Sequence, residues 1–229
     1  MRRGLPWTLA FFAFIVPLIL FLTACASEAT VTEPRTAIVA IHGGGWYAGS
    51  PAKMDAVCRD LAGDCFQPAY TLSGVAPFGA AARDVRSFVL DLRAQGYDRI
   101  IGIGASAGGQ LAAWLAAEGH LNAAVTLSAP TNLVVIDDWH RDQCGCWVVD
   151  QYAPTDYKKE QASPALASVD VPLLILHSAD EELIPRRQAG RLAEVSPQAT
   201  LHILEGDRHA MAYWTDVAPE VAAWVGALA

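Results

Sequence analysis

The sequence predicts an α/β architecture: a reduced, mostly parallel sheet of about six strands, with helices on both faces and a small cap. Three observations predict it. Short apolar runs alternate with segments of helical spacing along residues 36–229, and strands alternating with helices indicate a parallel sheet covered on both sides. The chain has 229 residues, enough for one domain with a sizeable core, and shows no repeat, low-complexity tract or second-domain boundary. The residues that carry chemistry each fall just past the carboxyl end of a run, the edge at which open parallel sheets bind ligands.

The chain opens with Arg2 and Arg3 and an almost wholly apolar run, Leu5–Leu22. The run just reaches bilayer-spanning length, but Pro6 and Pro17 weaken a long helix. "LTAC", Leu22 to Cys25, has small residues before Cys25 and a polar stretch after it, which fits a cleavage site. The same four residues resemble the lipobox of bacterial lipoproteins. That resemblance implies a signal peptide over 1–24, diacylation of Cys25 and a membrane attachment at the bacterial cell envelope, with residues 25–35 as a tether. A plain secretory signal and an uncleaved anchor are the alternatives, and all three imply export. Removing residues 1–24 takes away two arginines and no acid, so the net charge moves from -8 to -10. An acidic chain without a Lys/Arg cluster is not built to bind nucleic acid.

Four cysteines remain: Cys58, Cys65, Cys144 and Cys146. In an exported protein they are expected to pair, with three possible connectivities. Cys144-Gly145-Cys146 alone is weak evidence for zinc, and no metal is expected.

Ala37–Ile41 reads as a short apolar strand and residues 52–62 as a helix. Residues 65–70 read as a strand weakened by Pro68. Residues 79–94 carry Val85, Phe88, Val89 and Leu92 at helical spacing. Strand 99–104, helix 107–118 and strand 123–127 follow. Residues 128–169 read as a long irregular insertion holding Trp139, Trp147 and Tyr152, either a surface excursion or a cap whose aromatics shape a pocket. Strand 172–176, helix 186–194 and strand 200–204 come next, and helix 212–228 closes the chain, interrupted near Pro219.

Between strand 99–104 and its helix stands Gly104-Ala105-Ser106-Ala107-Gly108. G-x-S-x-G at a strand–turn–helix junction lets strand and helix approach and lifts a serine hydroxyl clear of the sheet. The following helix N-terminus favours developing negative charge there. "HGGGW", His42–Trp46, follows the first strand, and its glycines expose backbone N–H groups of the kind a tetrahedral oxyanion needs. A phosphate loop would need Lys-Ser/Thr after the glycines, where Trp46 stands. His42 precedes the serine beside the glycines and is expected to brace the loop. Downstream come an acidic loop, Asp180-Glu181-Glu182, and His209, each after a strand. Serine, acid, histidine is the chain order of one large class of hydrolases.

At this point the chain resembles the α/β-hydrolase superfamily over nearly all of residues 36–229. "HGGGW" with "GASAGG" is similar to hormone-sensitive-lipase-like esterases, and among these to small bacterial acetylxylan and feruloyl esterases. The resemblance implies Ser106 as nucleophile, His209 as general base, and an oxyanion hole from the N–H groups of Gly44, Gly45 and Ala107. Laid against the family's His-Gly-x-x-Asp-x-x-Val-Pro loop, His177–Pro185 places the acid at Glu181, with Asp180 as the alternative and Glu182 solvated. The implied activity is hydrolysis of a small-molecule or carbohydrate-linked ester through an acyl-enzyme, with no cofactor. An aryl formamidase and a catalytically silent binding lipoprotein are the alternatives. Two departures stand out. Family members have two further strands before the glycine loop, and residues 128–169 replace a larger lid. In "AYTL", Ala69–Leu72, Thr71 stands where such enzymes often carry arginine, so a structural contact is expected to be lost.

Overall fold

The computed structural model describes residues 34–144 and 148–228. The signal-peptide reading, Cys25, most of the tether and Cys146 lie outside them. Six strands form one sheet: β1 (Thr36–Ile41), β2 (Asp64–Phe66), β3 (Arg99–Ala105), β4 (Ala123–Leu127), β5 (Leu173–Ser178) and β6 (Ala199–Leu204). Their order is β2-β1-β3-β4-β5-β6, and every neighbouring pair is parallel. The helices, in chain order, are α1 (Asp55–Asp60), α2 (Gly79–Ala94), α3 (Ala107–Ala117), α4 (Leu133–Cys144), α5 (Val148–Tyr152), α6 (Asp156–Gln161), α7 (Arg187–Glu194) and α8 (Trp214–Gly226).

The apolar runs of the four central strands, β1, β3, β4 and β5, are buried on both faces, while the edge strands β2 and β6 stay partly exposed. Val39 and Ile41 of β1, Ile100 of β3 and Ile175 of β5 share one core with α2, α3 and α7. Ile38 and Ala40, Ile101 and Ile103, and Leu174 and Leu176 face the other side, where Val57 of α1 and Trp214, Val217 and Val221 of α8 cover them.

The structure corrects four expectations. The second strand has three residues rather than six, for Pro68 has no N–H to continue a ladder. Helix α8 runs through Pro219 instead of being interrupted by it. Arg35, read as tether, is part of the fold: its N–H donates to Asp98 Oδ2 at 3.0 Å, its Nη1 to Gln95 O at 2.8 Å, and its guanidinium lies 4.1 Å over the Tyr97 ring. Residues 128–169, read as irregular, contain α4, α5 and α6. The inward positions of α4 are Leu133, Ile136, Asp137 and His140, an i, i+3, i+4, i+7 set in which two members are polar. Hydrophobic periodicity therefore does not show it.

A disulfide joins Cys58 of α1 to Cys65 of β2, with Cα atoms 5.3 Å apart. An ion cluster ties the inserted helices together. Lys159 Nζ of α6 lies 2.8 Å from Asp137 of α4 and 2.9 Å from Asp150 of α5, and Arg141 pairs with the same two carboxylates.

Candidate active site

The chain turns from β3 into α3 at Ser106, with φ 52° and ψ −119°. A non-glycine residue in that region costs on the order of 1–3 kcal/mol, and close packing holds it there. A Cβ at Gly104 would collide with the Gly108 carbonyl, and one at Gly108 with the Ile41 carbonyl. Only glycines let β3, α3 and β1 approach this closely. Ser106 N–H donates to Leu127 O at 2.7 Å, fixing the turn against β4.

The glycine loop leaves β1 beside this turn. A Cβ on Gly43 would stand 2.7 Å from Ala105 O, so the loop lies directly on the elbow. Gly44 and Gly45 have φ of 123° and 59°. His42 braces the loop as expected. It is buried, its Nδ1 donates to Gly43 O at 2.9 Å, and its ring stacks on Tyr70 at 4.3 Å. Tyr70 Oη donates to His42 O at 3.0 Å. Burial pushes the His42 pKa below its ordinary value, the bond to Gly43 opposes that, and the positive charge of Lys53 adds to the lowering. In the "AYTL" segment the Thr71 N–H donates to Asp84 of α2 at 2.7 Å.

His209 follows β6 on a loop pinned at both sides. Ser178 Oγ donates to Arg208 O at 2.6 Å, and Ala210 N–H donates to Ser128 Oγ at 3.2 Å. Tyr213 Oη donates to Leu176 O and lies 3.0 Å from Ser128 Oγ. Burial raises the Tyr213 pKa well above its ordinary value, so the hydroxyl stays a donor.

The three neighbouring acids separate clearly. Glu181 is buried, while Asp180 and Glu182 are exposed. Glu181 Oε1 accepts from Ile184 N–H at 3.1 Å and from His209 Nδ1–H. The other oxygen, Oε2, lies 3.6 Å from Nε2 of buried His177, which donates to Ile184 O at 2.7 Å. Burial lowers the His177 pKa against the opposing pull of Glu181, leaving a neutral ring behind the carboxylate.

Ser106, Ala107, Gly43, Gly44, Gly45 and His209 line one cavity of about 480 Å³ at the carboxyl ends of the strands. Its apolar walls come from Trp46, Tyr47, Val148, Leu183, Ile184 and Met211, and Lys53 and His140 complete it. Glu181 stands behind His209 and does not line it. Among the described residues no group of three or more His, Cys, Asp or Glu side chains is arranged to hold a metal ion.

A family model described as the alpha/beta hydrolase fold matches residues 38–213. The chain belongs to this family. No curated protein sequence matches the hydrolase significantly. Among solved structures it is similar to EstE5 soaked with ethyl alcohol, at 21% identity over 83% of this chain and 76% of that one, TM-score 0.72. It is similar to a hyperthermophilic esterase from the archaeon Pyrobaculum calidifontis, at 24% identity over 86% and 78%, TM-score 0.69. It is also similar to an acetyl ester-xyloside bifunctional hydrolase from Caldicellulosiruptor lactoaceticus, at 15% over 86% and 84%, TM-score 0.71. At such identities the likeness is one of fold.

Sequence reasoning misses Gln110 of this hydrolase. The residue is fully buried one helical turn after Ser106, and its N–H donates to Ser106 O at 3.1 Å. Its Oε1 accepts from Trp46 Nε1 at 3.0 Å and from Tyr152 Oη at 3.2 Å, and its Nε2 donates to Ala162 O at 2.7 Å. One side chain thus joins the elbow helix, the glycine loop and the cap, where Trp46 and Tyr152 also stack at 4.2 Å. A lone polar residue in an apolar helical run is the only signal the sequence gives.

Proposed function

We propose that this hydrolase cleaves carboxylic esters through an acyl-enzyme formed on Ser106. The observation that carries the reading is the hydrogen bond from His209 Nδ1 to buried Glu181, with His209 and Ser106 on one cavity. In this mechanism His209 takes the Ser106 proton as the serine oxygen attacks the ester carbonyl. The Glu181 carboxylate holds the Nδ1–H tautomer and stabilises the imidazolium as it forms. The carbonyl oxygen becomes an alkoxide facing the N–H groups of Gly44, Gly45 and Ala107, which side chains do not obstruct. His209 protonates the departing alcohol, and water, activated by the same ring, releases the acid. The largely apolar walls and modest volume favour a short acyl chain. Ser106→Ala should abolish hydrolysis of p-nitrophenyl butyrate and labelling by a fluorophosphonate while leaving the melting temperature unchanged. A variant retaining a tenth of wild-type activity would refute the assignment.

A further inference from the structure

Lys53 is the one permanently charged side chain among the described residues that line the cavity. It sits on a single 3-10 turn, Pro51–Met54, just after the glycine loop. The turn is fixed from beneath by fully buried Met54, and Lys53 N–H donates to Ser50 O at 3.1 Å. The ammonium group has no ion pair: among the described residues no carboxylate lies within 4 Å of it, whereas Lys159 is held by three. The cavity itself presents no acid, because Glu181 is screened behind His209 and the exposed Asp180 and Glu182 do not line the wall. The Lys53 charge reaches the loop, since it adds to the lowering of the His42 pKa after burial. A cation with no ion pair among the described residues, beside the glycine loop and over largely apolar walls, complements a short chain that ends in a negative charge.

We infer that the preferred substrates are esters carrying a carboxylate, such as half-esters of short dicarboxylic acids, with Lys53 as the specificity-determining residue. The inference rests on the ester-hydrolase reading above and deepens it. The chain as a whole is acidic, with net charge -8, so long-range attraction does not favour such a substrate and discrimination must be local. A charge pair that stays partly in water is modest in strength, so the effect is a preference and not an absolute requirement.

The test compares monoethyl glutarate with ethyl pentanoate, whose acyl chains match in length and differ in a terminal carboxylate for a methyl group. The ratio of their kcat/KM values should fall about fivefold in Lys53→Gln, the scale of a partly solvated ion pair. It should fall further in Lys53→Glu and be kept in Lys53→Arg. In the wild-type protein the ratio should also drop as salt rises from 0.05 to 0.5 M, a reading that needs no variant. A ratio unmoved by Lys53→Gln, Lys53→Glu and salt overturns the inference while ethyl pentanoate hydrolysis upholds the parent reading. Hydrolysis of neither ester by wild-type protein brings down both.

Discussion

The two walls of the cavity are held by different forces. On the sheet side, Ser106, the glycine loop and the His209 loop are set by close backbone approach and by neutral hydrogen bonds: Gly104 against Gly108, Gly43 against Ala105, Ser178 and Ser128 on either side of His209. On the cap side, α4, α5 and α6 are joined through charge, with Lys159 at the centre and only 7% of its side chain exposed. Steric fit leaves the sheet side almost nothing to relax into. The attraction between buried Lys159 and Asp137 recovers only part of a large desolvation cost, so the cluster adds little net stability. The candidate chemistry therefore stands on the sterically locked wall, and the opposite wall is fastened by a handful of charges.

The sharpest way to probe the sheet side is the acid loop. Glu181→Gln should lower kcat by up to about 10⁴-fold, the scale of losing the tautomer-fixing carboxylate in a serine triad, at little change in melting temperature. Asp180→Asn, one residue away and exposed, should leave kcat within about twofold on the same scale of comparison. The reverse ranking in steady-state kinetics would give the role to Asp180.

The cap comes next. Lys159→Met leaves buried Asp137 with only the half-exposed Arg141 as its cation, which costs up to about 3 kcal/mol, the low end of the scale for an uncompensated buried charge. The melting temperature should fall, and amide exchange should accelerate in α4–α6 well before it does in β3 and β4. Uniform acceleration through the sheet would mean that the two walls unfold as one unit.

The smallest effect is a dependence on pH. Burial holds His42 and His177 below their ordinary value of 6.5. The unfolded chain therefore takes up protons that the folded chain refuses once pH drops below about 6.5, and the stability they contribute above that value is lost as pH falls toward their folded values. In the cap, burial opposes ionisation of Asp150, but the bond and charge of Lys159, followed by Arg141, hold it below its ordinary 3.8. That contribution survives until pH falls below 3.8. Melting temperatures between pH 7.5 and 5 should decline, and His177→Gln should flatten the decline. A flat wild-type profile would show that the buried rings carry no such linkage.

The contrast between the walls also decides what is legible in the sequence. The four central strands are plain because both faces are buried and the runs are nearly continuous, as in Ile100 to Ala105. The elbow is plain because close approach leaves only small residues. The register from His177 to Pro185 points to Glu181, and it is Glu181 whose carboxylate meets His209. What stays hidden depends on polar residues turned inward. Asp137 and His140 break the apolar pattern of α4, Lys159 is buried in α6, and Gln110 acquires its partners from segments 42 to 64 residues away. A polar side chain in a sequence announces neither its burial nor its partner.

Because every strand points the same way, the molecule has a front and a back. The cavity opens at the carboxyl ends, while β1 begins at the opposite edge with Arg35 fastened to Gln95, Asp98 and the Tyr97 ring. Six residues of extended chain put roughly 20 Å between the two. The Arg35 corner therefore lies on the side of the domain away from the cavity. A chemist's resin that grips this corner holds the domain by its back and leaves the mouth of the cavity clear.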